Sequence, residues 1–271
     1  MIEYKVFKGQ TPAEQKQFFC DFSKELEKCD EINREAVTKK LSDESFLAFV
    51  KHHADHDTIL SESLRNALSK SMINCIDHMD GPDISYLELL SSISVSALNT
   101  TPKGELSNPL GYAANQRFVK TMEMFVRNGA DLNACGPLGS VSALQMAASC
   151  DKIHSLNKLI ELGAIIDLQN AEGNTALLLA SAFQASGAVE LLIAAGADIH
   201  HQNKANETAL SIVCLSYFNE GTYYDVEKLV EIALILMKFG ADINHPDILE
   251  GLNDTLDSLE DELERKKILS I

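Results

Sequence analysis

The sequence predicts an all-α solenoid of about four stacked repeats, with a helical region before it and a capping helix after it. A glycine–alanine pair recurs through the second half of the chain in steps of 34, 33 and 44 residues. A leucine-centred motif recurs in phase with this pair, in steps of 34, 33 and 33 residues. Such a period indicates stacked helical repeats, because one unit cannot bury its apolar face alone.

Each repeat is predicted to be a pair of helices followed by a turn. A serine or threonine before the leucine can cap a first short helix. The apolar spacing of Val189, Leu192 and Ile193 predicts a second helix, and Gly196 suits the left-handed residue that ends it. The repeated glycines are Gly129, Gly163, Gly196 and Gly240, and the repeated leucines are Leu110, Leu144, Leu177 and Leu210.

The motif around each leucine resembles the opening T-P-L-H-x-A of the ankyrin repeat. The resemblance covers residues 106–251 and implies an ankyrin-repeat solenoid that binds other proteins. Only the first copy keeps the proline, at Pro109. Because every copy lacks the histidine, we expect looser hydrogen bonding between turns. The histidine position is held by Gly111, Gln145, Leu178 and Ser211.

Composition excludes several classes of protein. The chain has no apolar run of the roughly 18 residues that a transmembrane helix needs, and no apolar signal core near Met1. Six cysteines lie outside any C-x-x-C pair, which favours packed thiols in a reducing compartment. We therefore expect a cytoplasmic, monomeric protein without membrane insertion and without a cofactor.

The net charge of −17 argues against nucleic acid or an anionic membrane as a direct partner. One interpretation of this charge is that the protein partner presents a basic surface. The other is that the acidic residues serve solubility alone.

The first 103 residues lack the repeat landmarks but still indicate helices. Thr11 and Pro12 are a typical helix start. Further helices are predicted at about 43–51, 58–70, 71–79 and 84–98, the last capped by Asp83. Residues 58–98 are either a decayed repeat or part of a separate helical domain. We predict segments 1–103 (the N-terminal region), 104–251 (the repeats) and 252–271 (the C-terminal helix).

Two residue patterns in the N-terminal region support an alternative function as an enzyme. His52 and His56 have a helical spacing that can hold a metal, with a third ligand from Asp55, Asp57 or His78. The simpler interpretation, which the absence of an H-E-x-x-H motif favours, is a solvated, capped helix junction. Alternatively, a cysteine hydrolase would use a nucleophile with a histidine base, while the repeats recruit substrate. The candidate nucleophiles are Cys20, Cys29 and Cys75. No protease, phosphate-loop or G-x-S-x-G motif supports catalysis.

The ankyrin resemblance implies partner contacts at the finger tips and on the concave ends of the first helices. The tips correspond to residues 136–139, 169–174 and 202–206, which include Asn203 and Lys204. The helix ends carry Asn115, Arg117, Asp151, Lys152, Phe183 and Gln184.

The fourth repeat contains about eleven extra residues, and insertions in repeats often form the binding face. Tyrosine is favoured at interfaces, so these aromatics are candidate partner contacts, although Phe218 and one tyrosine could instead pack on the following helix. The aromatic residues are Tyr217, Phe218, Tyr223 and Tyr224.

Residues 252–271 predict a last helix with two interpretations. It closes the end of the stack, or it is an export signal. The acidic block at 260–264 and the terminal Ile268 and Leu269 resemble the tail of type IV secreted effectors of intracellular bacteria such as Legionella. That resemblance implies a host protein as the partner.

Overall fold

The computed structural model describes residues 12–28, 31–54, 59–77, 82–135, 141–216 and 225–242. Within these ranges every regular element is a helix, as the sequence predicts for an all-α repeat protein. None of the helices described is long and apolar enough to cross a bilayer. The chain divides into two compact units, Met1–Ala143 and Leu144–Ile271.

One long helix organises the first unit. The helices of this unit are α1 Pro12–Glu27, α2 Glu31–Leu41, α3 Glu44–Ala54, α4 Ile59–Ile76, α5 Ile84–Ser91, α6 Val95–Leu98, α7 Pro109–Asn115 and α8 Val119–Arg127. The long helix α4 packs against α1, α3, α5, α6 and α7. Its apolar face is fully buried and includes Leu64, Leu68 and Met72.

Helix boundaries in this unit differ from those predicted. The predicted segments 58–70 and 71–79 form the single helix α4, because its buried Ser69 bonds to the carbonyl of Thr100 and Ser71 to the hydroxyl of Tyr86. These serines therefore do not interrupt the helix. The predicted helix 84–98 is two helices, since the extended Ser94 accepts from the amide of Ala97 and starts α6. Helix α2 was not predicted.

Helices α4 and α5 pack like a repeat. Helix α4 packs on α7 and α5 on α8, just as α11 (Ala176–Ala182) packs on α13 (Ala209–Ser216) and α12 (Ser186–Ala194) on α14 (Val226–Lys238). The Asn99 side chain accepts from the amide of Asp131 at 2.8 Å, and Asp167 accepts from Asp198 at 3.1 Å in the second unit. This correspondence favours a decayed repeat within residues 58–98.

The second unit is a series of helix pairs. Helix α9 (Ala143–Ser149) begins at the boundary and α10 spans Ile153–Glu161. Helix α11 packs on α12 and α13, while α12 also packs on α10 and α14. The predicted leucine landmarks lie in the core, with Leu177 and Leu210 buried.

Each glycine–alanine landmark ends a second helix. Gly196 has φ +93° and its amide bonds to the carbonyl of Ile193, while the amide of Ala197 bonds to Leu192, both at 3.0 Å. This pair of bonds is the Schellman arrangement, which needs a left-handed residue and so favours glycine. The same bonds occur at all four landmarks.

The expected loosening at the missing histidine is wrong for two repeats. The buried Gln145 donates to the carbonyls of Leu168 and Asn174 at 2.8 and 2.9 Å. At Gly111, the space where a Cβ would lie is filled by Ser107, which donates to the carbonyl of Val141 at 2.8 Å. An amide and a hydroxyl therefore make connections that bridge the turns in these repeats.

The first repeat lies in the same compact unit as the N-terminal helices, whereas the sequence predicts a boundary near residue 103. Helix α7 rests on α4, with Leu110, Ala113 and Ala114 fully buried. Glu105 pairs with Lys70 of α4 and accepts from the hydroxyl of Tyr112 on α7. Packing and an ion pair thus join α4 to the first repeat.

Candidate partner-binding surface

The first helix of a repeat also ends at a residue in the left-handed conformation, as the second helix does at its glycine. Arg117, Asp151 and Gln184 occupy the same position in successive repeats and have φ of 64°, 52° and 57°. Each closes its first helix with two bonds, such as Gln184 amide to Ser181 carbonyl at 3.2 Å and Ala185 amide to Ala180 carbonyl at 2.9 Å. The backbone of these turns is therefore fixed, although none of the three residues is glycine.

Two of these residues also connect neighbouring repeats of the second unit. The Asp151 carboxylate accepts from the amide of Ala188 at 2.8 Å, at the start of α12. The Gln184 side-chain oxygen accepts from the amide of Asp225 at 3.1 Å, just before α14. We call residues 149–152, 183–185 and 225 the turn edge of the second unit.

Phe183 is the main apolar side chain of the turn edge. It follows α11 directly and remains 65% exposed. Lys152 is half-buried and Asp151 is exposed on the preceding turn. The structure therefore places predicted contacts Lys152 and Phe183 on a turn edge whose backbone is hydrogen-bonded.

Arg117 and Asn115 belong to the corresponding turn of the first unit. Arg117 is exposed, whereas Asn115 at the end of α7 is half-buried. The neighbouring Gln116 donates to the Asp77 carboxylate at 3.1 Å, beyond the end of α4. Arg117 thus presents a positive charge to solvent beside a hydrogen-bonded turn.

Asn203 lies inside its finger turn, with only 8% of its surface exposed. Its amide nitrogen donates to Asn174 and Glu207 at 2.8 and 2.7 Å, and its oxygen accepts from the amides of Ala205 and Glu207. These bonds shape the finger, so the geometry gives Asn203 an internal role; its predicted partner contact stays a prediction.

Asn170, which falls within the predicted finger tip at 169–174, makes similar bonds one repeat earlier. Its side-chain oxygen accepts from the amides of Glu172 and Asn174 at 3.0 and 2.9 Å. The signal is present in the sequence, because Asn170 and Asn203 lie 33 residues apart. An asparagine that returns in phase with a repeat indicates a shared turn, since its side chain readily bonds to nearby backbone.

Lys204 lies at an exposed finger tip, as predicted. Its ammonium group donates to the carbonyl of Ala171 at 2.7 Å, and its amide donates to Glu172 at 3.1 Å. His201 lies nearby and its ring nitrogen is 2.9 Å from the carbonyl of Gly173. Adjacent fingers of the second unit are thereby joined, and Lys204 contributes positive charge at their tips.

Several predicted candidates lie outside the described residues. These include the first finger tip at 136–139 and the whole tail. The same holds for all four aromatic residues of the insertion, Tyr217, Phe218, Tyr223 and Tyr224.

Cys20, Cys29 and Cys75 are the candidate nucleophiles of the enzyme alternative. Cys75 is fully buried and its sulfur lies 3.9 Å from the carbonyl of Asp83, while Cys20 is half-buried and Cys29 lies outside the described ranges. Burial raises the pKa of Cys214 to about 12, and burial followed by the charge of Asp131 raises that of Cys135. A raised pKa disfavours the thiolate that a nucleophile needs, but neither Cys135 nor Cys214 is one of the predicted nucleophiles.

The histidines near the end of α3 are the candidate metal ligands of the enzyme alternative. His53 contacts the carbonyl of Phe49 through its ring nitrogen at 3.0 Å and packs against the Phe49 ring. In the part of the chain that the structure describes, no group of three or more metal-ligand side chains comes together. His56 and the acids at 55 and 57 fall in a gap of that part.

Comparison with known families identifies repeats in this chain. Residues 110–203 match the family described as ankyrin repeats, with three copies. The match covers about a third of the chain and confirms the ankyrin repeats predicted from the two landmarks. The fourth helix pair, α13 and α14, lies beyond the matched range but ends in the same arrangement at Gly240.

Proposed function

We propose that this chain is a monomeric adaptor that holds a protein partner on its ankyrin repeats. Ankyrin repeats are generally modules for protein–protein interaction, and three copies are present at residues 110–203. This match is the observation that carries the proposal. The regular geometry supports it, because hydrogen-bonded turns and fingers present side chains at fixed positions and limit the entropy lost on binding.

The side chains proposed to contact the partner are the exposed ones on these turns and fingers. Phe183 offers apolar area, while Arg117, Lys152 and Lys204 offer charge. The aromatic insertion extends this set by sequence alone, with Tyr223 and Tyr224 as the residues of choice for a test. Asn203 is proposed to act indirectly, by keeping the finger in shape.

We further propose that the partner is a host-cell protein and that the chain is a secreted bacterial effector acting in the host cytosol. The support is the tail sequence, with its acidic block at 260–264 and its apolar end. A translocation reporter fused to the full chain would be compared with the same fusion lacking residues 252–271. Reporter signal in host cells should disappear with the tail, and equal signal from both fusions would contradict the export role.

Partner capture tests the adaptor function itself. The full chain would be used to isolate proteins from host lysate, and the isolated partner would then be purified and titrated. Replacing Tyr223 and Tyr224 by alanine should weaken binding roughly tenfold if the insertion is an interface hot spot. Glu190, exposed on α12, provides a control through Glu190→Ala, which should leave the affinity unchanged.

The enzyme alternative needs a reactive thiol, whereas burial raises the pKa of Cys135 and of Cys214 among the described residues. It has a direct test in thiol labelling at neutral pH. Slow labelling of the cysteines in the folded chain relative to free thiol agrees with packed residues. Rapid labelling of one cysteine would reopen a nucleophile.

A further inference from the structure

We infer that the turn edge of the second unit binds a segment in which an apolar side chain is flanked by lysine or arginine, with Phe183 as the apolar contact. This inference rests on the proposed adaptor function, since it specifies the chemistry of the partner. It concerns the edge formed by the turns between first and second helices, which is distinct from the fingers.

Phe183 has the geometry of an apolar anchor. Its 65% exposure is the largest among the exposed large apolar side chains of the described residues. Its amide donates to the carbonyl of Leu179 at 3.0 Å. The left-handed Gln184 that follows donates through its amide to Ser181 and accepts through its side-chain oxygen from the amide of Asp225. A phenyl ring on a fixed backbone offers large contact area and loses little entropy on binding.

The charge around Phe183 favours a basic segment. Asp151 and Asp225 are exposed on the two neighbouring turns, and each is tied to the repeat of Phe183 by a hydrogen bond. Glu227 in the first turn of α14 adds a third exposed carboxylate. The positive charges in the same region are those of the half-buried Lys152 and the exposed Lys228. The turn edge therefore carries a local excess of negative charge.

The second unit as a whole carries the same sign of charge. Its described residues carry eleven carboxylates against five lysines, and no arginine. Lys158 is paired with Glu161, and Lys204 donates to the carbonyl of Ala171. A negative field raises the association rate of a basic partner and repels an acidic one.

A random dodecapeptide display library provides the probe. It would be selected on the full chain and counter-selected on the Phe183→Ala variant. We expect the enriched peptides to combine Lys or Arg with Leu, Ile, Met or Phe. Their affinity should fall by at least about tenfold for Phe183→Ala. Phe239→Ala is the matched control, because Phe239 is 49% exposed and follows α14 as Phe183 follows α11; it should leave the affinity unchanged.

The electrostatic part is tested by Asp151→Asn combined with Asp225→Asn. Asparagine keeps the side-chain acceptor at both positions, tolerates the left-handed backbone at 151 and caps the helix at 225. We expect the affinity to fall roughly fivefold at low salt, and the remaining binding to lose most of its salt dependence. Asp198→Asn removes one exposed carboxylate on the finger side and should change neither property.

Enriched peptides without a basic excess, or peptides that bind Phe183→Ala as tightly as the native chain, would overturn the inference. So would a selection that enriches nothing over the variant. Far-UV circular dichroism of each variant confirms that the comparison is between folded chains. These outcomes would overturn the inference but not the adaptor function, because a partner captured through the fingers or the insertion would still bind when Phe183 is replaced. The adaptor function itself fails only if partner capture with the full chain isolates no specific protein.

Discussion

Residues other than glycine occupy the left-handed positions of the turns between the two helices of a repeat. Arg117, Asp151 and Gln184 occupy a backbone region that disfavours side chains. Asp151 and Gln184 compensate through bonds to the next repeat, whereas Arg117 faces solvent. The three turns therefore have the same backbone conformation, but only the side chains of Asp151 and Gln184 bond to the next repeat.

Arg117→Gly is expected to raise the free energy of unfolding by about 1 kcal/mol. Strain of about 1–2 kcal/mol at a non-glycine left-handed residue is relieved, and the greater freedom of glycine in the unfolded chain offsets part of it. Urea denaturation measures the change. Arg117→Ala is the control, because it removes the charge but keeps the positive φ. An equal gain from Arg117→Ala would show that charge, not backbone strain, is responsible.

Cys214 is expected to make stability depend on alkaline pH. Burial raises its pKa from 9.0 to about 12, so its contribution is complete below pH 9 and is lost as the pH rises through the folded value. The unfolded chain ionises first, which lowers the free energy of unfolding by about 1 kcal/mol between pH 9 and pH 10.

The measurement is the urea midpoint of the native chain and of Cys214→Ala across this pH range. Alanine suits the position, because Ala148 occupies it two repeats earlier. The other titratable groups are the same in both chains. The difference between the two slopes of urea midpoint against pH therefore gives the contribution of the Cys214 thiol. Parallel pH profiles for the two chains would contradict the expectation.

At the level of the repeat, a buried glutamine takes the place of a histidine. Gln145 donates to two carbonyls in the following turn region, Leu168 and Asn174, and so joins the first helix of its repeat to the next finger. Ser107 does comparable work in the first repeat. Although these two repeats lack the consensus histidine, a glutamine and a serine side chain supply hydrogen bonds between successive turns.

Gln145→Leu is expected to lower the free energy of unfolding by about 2 kcal/mol, because it removes two hydrogen bonds of a buried side chain. The carbonyl of Leu168 loses its bond from Gln145, whereas the carbonyl of Asn174 still accepts from the amide of Asn170. Thermal and urea denaturation both report the loss. Gln169→Leu makes the same chemical change at an exposed finger position in the same unit and should be nearly neutral. If both variants lose the same stability, the bonds of Gln145 carry no special weight.

Local chemistry explains how much of the fold the sequence could predict. The repeat ends follow from bonds that reach only three and five residues back, as at Gly196, so the landmark residues suffice. The continuity of α4 could not be predicted, since the partners of Ser69 and Ser71 are Thr100 and Tyr86, distant in sequence.

The candidate surface shows the same division. The exposure of Phe183 and Lys204 could be expected from their places in the repeat pattern. The internal bonds of Asn203 depend on how adjacent fingers meet, although its recurrence with Asn170 was a usable signal.

At the scale of the whole chain, α4 makes the N-terminal helices and the first repeat one compact unit. It packs against five other helices, including α7 of the first repeat. Leu110 of α7 is fully buried. Since a repeat cannot bury its apolar face without a neighbour, removal of α4 should leave the first repeat uncovered.

A fragment that begins at residue 104 is therefore expected to lose amide protection throughout α7 and α8, relative to the full chain. Hydrogen exchange followed by mass spectrometry measures this, because exchange reports local opening helix by helix. Helices α11 and α12 are the internal control, since their contacts with each other and with α13 lie entirely within the second unit and should keep them protected. Protection of α7 and α8 equal to that in the full chain would mean that the first repeat needs no cover from α4 and α5, and would support the boundary near residue 103. Loss of protection confined to α7 and α8 would show that α4 and α5, which pack on them, serve as the preceding member of the repeat stack.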